Sequence, residues 1–185
     1  MSNKDSIVTI FGSSRPQHGE PEYQIAHELG KLLAEAGCVV CNGGYGGTME
    51  ASARGAKDAN GRTVGVICDF FSKIANSYID ETIMTKTLNE RLMKLVDIAD
   101  AYIVLKGGTG TLLEFATVWE YMNKHVIASK PIIVIGAFWS SVVTTLKNEL
   151  IWEGLCDATQ YVLQVASPAD CVEILQEKLK NSKKE

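Results

Sequence analysis

The chain has 185 residues, of which 46% are hydrophobic and 22% are charged, and its net charge at pH 7 is −4. These values are ordinary for a globular protein and argue against generic binding to nucleic acid or to anionic membranes. No apolar stretch reaches transmembrane length and no signal-peptide core follows the N-terminal MSNKDS, so we expect a cytoplasmic protein with a single domain, residues 1–185.

The first half of the chain alternates short apolar runs with helical patterns. We predict strands at 6–11, 38–41, 62–68 and 82–85, and helices at 21–36, 48–59 and 87–99. Thr87 and Glu90 have the spacing of a capping box at the start of the third helix. Residues 69–78 carry a weak signal and are predicted to form a loop over the site. This half therefore predicts strands joined mainly by helices.

The second half continues the alternation. We predict strands at 101–105, 131–135 and 160–165, and helices at 112–121, 139–153 and 168–180. On the first of these helices, Leu112, Phe115, Ala116 and Trp119 are predicted to share one side. Alternating strands and helices predict an α/β fold, in which a doubly wound parallel sheet carries helices on both faces.

Three loops of similar chemistry follow predicted strands, at 12–15, 42–48 and 107–111. Ligands of doubly wound folds bind outside the carboxyl ends of the strands, and all three loops fall at such ends. We therefore expect them to line one cleft.

The loop at 107–111 reads Gly-Gly-Thr-Gly-Thr and lies between an apolar strand and a helix. Free backbone N–H groups at a helix start favour an anion such as phosphate. The loop lacks the Gly-Lys-Ser/Thr of a Walker sequence, and the third glycine of GxGxxG is missing. Glu114 places a carboxylate beside the proposed anion, which suggests a catalytic or ligand-reading role; the alternative is an acid that merely complements the helix dipole. Arg91 lies in the first turn of another predicted helix, at 87–99, where a cation opposes the dipole of that helix. We therefore favour a ligand-binding role for Arg91 over a solvated surface position.

Cys38 and Cys41 fit a C-x-x-C pattern inside a predicted strand. A redox pair usually lies at a helix start, and a three-residue offset on a strand points the two side chains to opposite faces. We therefore favour buried structural cysteines over a redox pair. His18, His27 and His125 form no cluster with the cysteines, so we expect no metal site.

The site residues resemble a known family. Segment 107–114, Gly-Gly-Thr-Gly-Thr-Leu-Leu-Glu, resembles the PGGxGTxxE signature of the Lonely Guy family, Rossmann-like proteins formerly labelled lysine decarboxylases. Segment 43–50 resembles the family's first glycine-rich loop, segment 12–14 resembles its opening strand end, and Arg91 matches its upstream arginine. The resemblance covers residues 6 to about 137.

Two residues depart from the family pattern. Lys106 stands where the family has proline, and Leu92 follows Arg91 where the enzymes typically have lysine. The local sequence also resembles a branch that includes plant and algal molybdenum cofactor carrier proteins.

The resemblance implies an enzyme that cleaves AMP or cytokinin nucleotides to the free base and ribose 5-phosphate, with Glu114 and Arg91 as the catalytic pair. The alternative is a carrier that binds a phosphorylated ligand without turnover, and an oxidoreductase is a distant third. We expect no cofactor. We also expect a homodimer or larger assembly, to which Trp119, Tyr121 and Met122 could supply contact area; the alternative is that these residues belong to the core. The candidate phosphate- and nucleotide-binding residues are Gly107, Gly108, Thr109, Gly110, Thr111, Gly43, Gly44, Gly46, Gly47, Ser13, Ser14 and Met49.

Overall fold

A computed structural model of the protein describes residues 5–182, and its strands form one parallel sheet in the order β4-β3-β2-β1-β5-β6-β7. The strands are β1 Ile7–Phe11, β2 Val39–Asn42, β3 Thr63–Cys68, β4 Glu81–Thr85, β5 Ala101–Val104, β6 Ile132–Ile135 and β7 Val162–Val165. Strands β2, β3, β5 and β6 are buried along their whole length. Such continuous burial is typical of a parallel sheet that is covered on both faces.

Six α-helices cover the two faces of the sheet. They are α1 Pro21–Glu35, α2 Thr48–Asp58, α3 Leu88–Asp97, α4 Thr109–Asn123, α5 Ser140–Trp152 and α6 Pro168–Ser182, and a short 3₁₀ helix spans Cys156–Tyr161. Helices α1, α2 and α6 pack in one hydrophobic core, and α3, α4 and α5 pack in the other. The predicted doubly wound, Rossmann-like α/β fold is confirmed. The strand predicted at 160–165 is shorter than expected because its first two residues belong to the 3₁₀ helix.

The two cysteines of the C-x-x-C pattern lie on opposite faces of the sheet, as predicted. Cys38 belongs to the core that contains α1, whereas Cys41 belongs to the core that contains α4. Both side chains are buried, and burial raises the pKa of the Cys41 thiol to about 12. Because a thiol with such a pKa stays protonated near neutral pH, Cys41 lacks the thiolate that redox chemistry requires.

Helix α4 buries a different side from the one predicted. Phe115 and Trp119 are buried as expected, but Leu112 and Ala116 are exposed. The buried residues of α4 are Thr111, Phe115, Val118, Trp119 and Met122. This spacing turns the core-facing stripe away from Leu112. Trp119 and Met122 are therefore core residues, so the prediction that they supply contact area to a partner subunit was wrong.

The topology places a crevice beside β1. Strand β1 pairs with β2 on one side and with β5 on the other, and the chain winds outward from β1 in opposite directions along its two halves. Doubly wound folds bind ligands outside the carboxyl ends of the strands at this reversal. The loops that follow β1, β2 and β5 meet there.

None of the helices within residues 5–182 combines the length and the apolarity that crossing a membrane requires. The expectation of a missing signal peptide rests partly on residues 1–4, which lie outside the described range.

Candidate active site

A cleft of about 640 Å³ opens at the carboxyl ends of β1, β2 and β5. Its volume lies within the range of small-molecule sites, which is roughly 300–1,000 Å³. The cleft is lined by Ile10, Gly12, Ser13, Ser14, Arg15, Gly43, Tyr45, Met49, Phe71, Arg91, Gly108, Thr109, Gly110, Thr111 and Glu114. The three loops predicted from the sequence therefore do line one cleft.

The start of α4 forms one end of this cleft. Gly108 is the N-cap, and the helix begins at Thr109, two residues before the predicted loop ends. A Cβ at Gly108 or Gly110 would meet no heavy atom of the described residues within 4 Å, so space is open over the first N–H groups. A Cβ at Gly107 would lie 2.2 Å from Oγ1 of Thr111, which explains why only glycine fits there. The helix start thus offers unobstructed backbone donors to an anion.

Glu114 lies in the second turn of α4 and faces the cleft. Its side chain is 15% exposed, and burial raises its pKa from the ordinary value of 4.5 to about 7, against the opposing effect of Arg91. The carboxyl group therefore exists in both protonation states near neutral pH. A carboxyl group with such a pKa is suited to proton transfer or to stabilising positive charge.

Arg91 lies in the first turn of α3, and its side chain is held on several sides. Its Nε donates a hydrogen bond to the carbonyl oxygen of Val66 at 2.8 Å, and Nη1 lies 3.6 Å from Oε1 of Glu114. The guanidinium carbon lies 5.7 Å from the ring centroid of Tyr45. A Cβ at Gly43 would lie 1.7 Å from Nη2, so this glycine makes room for the guanidinium.

The N-terminus of α3 is only partly the predicted capping box. The side chain of Thr87 accepts a hydrogen bond from the backbone N–H of Glu90 at 3.1 Å, as expected. The carboxylate of Glu90 accepts from the backbone N–H of Lys86 instead of that of Thr87. The cap still fixes the first turn of α3, from which Arg91 extends.

The structure brings most of the predicted site residues together. Those that line the cleft are Ser13, Ser14, Gly43, Met49, Arg91, Gly108, Thr109, Gly110, Thr111 and Glu114. Gly107 instead borders an adjoining pocket of about 400 Å³. Gly44, Gly46 and Gly47 do not line the cleft; a Cβ at Gly47 would lie 2.4 Å from the backbone of Ser13, so this residue shapes the loop.

Five cleft residues were missing from the predicted set, namely Ile10, Gly12, Arg15, Tyr45 and Phe71. Arg15 extends from the loop after β1, Tyr45 lies in the second glycine-rich loop, and Phe71 belongs to the loop at 69–80 that follows β3. Arg15 and Tyr45 carry the largest side chains of the loops already assigned to the site at 12–15 and 42–48, and that signal would have identified them. Phe71 lies in the segment predicted to form a loop over the site, which the structure confirms in position.

The two departures from the Lonely Guy pattern have structural partners. The Lys106 ammonium pairs with the carboxylate of Glu22 and lies 5.9 Å from the ring centroid of Phe138. Leu92 is partly buried and packs against the core that contains α4. Neither residue lines the main cleft. Within residues 5–182, no group of three or more His, Cys, Asp or Glu side chains is placed to hold a metal ion.

Comparison with known proteins identifies the family to which the chain belongs. Residues 5–172 match the SLOG cluster4 family. A Mycobacterium tuberculosis protein named cytokinin riboside 5'-monophosphate phosphoribohydrolase is 36% identical over 136 residues, which cover 71% of this chain and 71% of the relative. An uncharacterized protein from Archaeoglobus fulgidus is 40% identical over 116 residues, which cover 63% of this chain and 76% of the relative.

A solved structure aligns over nearly the whole chain. The molybdenum cofactor binding protein from Rippkaea orientalis has a TM-score of 0.74 and 27% identity, with 95% of this chain and 98% of that chain covered. The resemblance drawn from the glycine-rich signatures is thus confirmed on both of its branches. Because the family match spans most of its length, the chain belongs to the SLOG cluster4 family.

Proposed function

We propose that the protein is a nucleoside 5'-monophosphate phosphoribohydrolase, which converts AMP or a cytokinin nucleotide and water to the free base and ribose 5-phosphate. The observation that carries this proposal is the largely buried Arg91–Glu114 pair beside the open start of α4. The relative named for this reaction, at 36% identity, supports it. We place the reaction in the cytoplasm, where nucleotide substrates are available.

The 5'-phosphate binds at the start of α4. Backbone N–H groups of residues 108–111 donate to its oxygens, and the positive end of the helix dipole favours its charge. Arg91 adds a guanidinium at the same end of the cleft. The base extends toward Ser13 and Met49, which line the part formed by the loops after β1 and β2.

Glu114 acts on the ribose. Cleavage of the N-glycosidic bond leaves positive charge on the sugar, and a carboxylate beside the ring stabilises that charge. The same carboxylate orients the attacking water and accepts its proton as the new C–O bond forms. The base departs with the electron pair of the broken C–N bond and takes up a proton. Water is the only co-reactant, and the proton that it gives to Glu114 balances the proton that the base takes up.

Arg91 holds Glu114 and the phosphate in one arrangement. Its charge keeps the pKa of Glu114 lower than burial alone would set it, so that part of the Glu114 population is ionised near neutral pH. Its Nη1 is 3.6 Å from the carboxylate, longer than an ordinary hydrogen bond. The guanidinium therefore retains donors for the phosphate.

A second candidate function is binding of a phosphorylated ligand, such as a nucleotide or the molybdenum cofactor, without turnover. The observation that favours it is the alignment with the Rippkaea orientalis protein over 95% of this chain. The hydrophobic surroundings of Leu92, where the enzymes typically have lysine, point in the same direction. In a carrier, Glu114 would bind a polar group of the ligand.

We also propose that the protein forms a homodimer or a larger homo-oligomer. The apolar residues Leu112 and Leu113 of α4 and Leu146 of α5 are exposed in the single chain. Leu146 also lines a groove of about 170 Å³ between these helices, together with Ala116 and Leu150. Light scattering at micromolar concentration should show at least a dimer, and a monomer would contradict this proposal.

The function is tested by incubating the protein with a panel of nucleoside 5'-monophosphates and measuring ribose 5-phosphate. Release that depends on Glu114 supports the hydrolase. Tight binding without release, measured by calorimetry on the same panel, supports the carrier.

A further inference from the structure

Tyr45 is anchored between the second glycine-rich loop and the segment that follows β3. Its hydroxyl oxygen accepts a hydrogen bond from the backbone N–H of Cys68 at 2.7 Å. The hydroxyl lies 3.0 Å from the carbonyl oxygens of Cys68 and Ser72, to one of which its proton is donated. A phenol fixed at its far end in this way has little freedom to rotate.

The backbone around Tyr45 is tied to the same segment. The side-chain amide of Asn76 donates to the carbonyl oxygen of Tyr45 at 2.8 Å, and the N–H of Asn76 donates to the carbonyl oxygen of Gly44 at 2.8 Å. The ring of Phe71 meets the ring of Tyr45 edge-on, with centroids 5.8 Å apart. These contacts hold the ring plane of Tyr45 as well as its hydroxyl.

The face of this ring is turned toward Arg91. The guanidinium carbon lies 5.7 Å from the ring centroid, within the range of a cation–π interaction. The Nε of Arg91 bonds to Val66, which leaves the outer nitrogens near Glu114 and the cleft. The guanidinium is therefore confined between the end of β3, the Tyr45 ring and the carboxylate.

We propose that Tyr45 is a positioning residue, whose anchored ring holds the guanidinium of Arg91 beside Glu114 and the phosphate end of the cleft. The role of Arg91 in binding phosphate rests on the proposed function. The position of Arg91 relative to Glu114 is a property of the unliganded protein and is tested without any substrate.

The pKa of Glu114 depends on the position of the Arg91 guanidinium and can therefore be used to measure it. Arg91 on α3 is the charged group within 4 Å of its carboxylate among the described residues, and Arg15 lines the same cleft from the loop after β1. Since a nearby cation lowers the pKa of a carboxyl group, withdrawal of Arg91 raises the pKa of Glu114. A general loosening of the fold would not produce this shift selectively.

The experiment compares Tyr45→Leu, which removes the aromatic face, with Tyr45→Phe, which keeps it. The matched control is Tyr78→Leu, because Tyr78 makes the same kind of contact with Arg54, at 5.9 Å, from a position that does not line the cleft. In each variant the pKa of Glu114 is measured by NMR of ¹³C-labelled glutamate carboxyl groups. Its signal is assigned by its disappearance in Glu114→Gln. Affinity for AMP is measured by calorimetry.

We expect Tyr45→Leu to raise the pKa of Glu114 by about one unit and to weaken AMP binding about fivefold. Tyr45→Phe keeps the aromatic face and loses only the hydroxyl anchor, so it should change both values less than Tyr45→Leu does, and Tyr78→Leu should change neither. An unchanged pKa in Tyr45→Leu, or an equal change in Tyr78→Leu, would overturn the proposal. If Tyr45→Leu does not fold, Tyr45→Met takes its place with the same expected shift.

The two proposals fail in different ways. If wild type neither binds nor cleaves AMP, the proposed function is wrong, while the pKa measurement still decides the role of Tyr45. If wild type cleaves AMP and the pKa of Glu114 is the same with Leu, Met and Tyr at position 45, only the positioning role is wrong.

Discussion

Nη1 of Arg91 and Oε1 of Glu114 lie 3.6 Å apart, although the two residues come from different helices. Both side chains are largely withdrawn from water, with 13% of Arg91 and 15% of Glu114 exposed. The separation exceeds that of a hydrogen bond, so each group keeps capacity for a ligand or a water molecule. Burial and the ion pair act on the Glu114 carboxyl group in opposite directions, and burial prevails.

The raised pKa of Glu114 predicts a pH-dependent gain of stability in Glu114→Gln. Folding raises this pKa from 4.5 to about 7, so the folded chain binds the proton more tightly than the unfolded chain. Wild type therefore loses stability from this group as pH rises from 4.5 to 7, by up to about 3 kcal/mol. Glutamine has no such loss. Urea unfolding at pH 5 and pH 8 should show a larger advantage of the variant at pH 8; an equal difference at both values would contradict the raised pKa.

The same pKa predicts the pH profile of activity. If the carboxylate form of Glu114 is the active form, kcat/KM falls as pH drops below about 7. Arg91→Ala removes the cation that lowers this pKa, so the limb of the profile should move to higher pH by about one to three units. Arg54→Ala removes an arginine that does not line the cleft and serves as the control. A limb that stays in place in Arg91→Ala would show that the titrating group is not Glu114.

Substitutions at Gly43 and Gly108 test the position of the Arg91 guanidinium and the position of the phosphate independently. A methyl group at Gly43 would overlap Arg91, so Gly43→Ala should displace the guanidinium and destabilise the fold by about 1–3 kcal/mol. A methyl group at Gly108 meets no described atom within 4 Å, so Gly108→Ala should change stability by less than about 0.5 kcal/mol.

Gly43→Ala and Gly108→Ala should each bind AMP about tenfold more weakly than wild type, although for different reasons. Gly43→Ala moves a cation, whereas Gly108→Ala fills the space over the first N–H groups of α4. Thermal unfolding and calorimetry on both variants check the pair. Unchanged AMP affinity in Gly108→Ala would place the phosphate elsewhere.

The sheet and the position of the cleft were predictable from the sequence because both depend on local patterns. Apolar runs separated by helical spacing define a doubly wound sheet, and glycine-rich loops after strands mark its carboxyl edge. The assignment of Arg91 and Glu114 needed only the loop chemistry and the family resemblance. The sequence could not predict which side chains from distant segments are in contact.

The side chain of Tyr45 illustrates this limit. Its neighbours Cys68, Ser72 and Arg91 are distant in sequence, and no periodicity encodes these contacts. Helix α4 shows a second limit. Leu112 and Phe115 are both apolar, so the pattern alone did not reveal that the buried stripe runs through Thr111 and leaves Leu112 exposed.

Release of ribose 5-phosphate from AMP distinguishes hydrolysis from binding. Wild type should release it, and Glu114→Gln should lower the rate on the order of 10² to 10⁴-fold, because the charge that stabilises the oxocarbenium-like state is gone. The same variant should bind AMP as well as wild type or more tightly, since a negative charge beside the phosphate is removed. Arg91→Ala should weaken binding about 10- to 100-fold and slow turnover together. If wild type binds AMP in calorimetry yet releases no more ribose 5-phosphate than Glu114→Gln, the hydrolase is contradicted and the protein is a carrier.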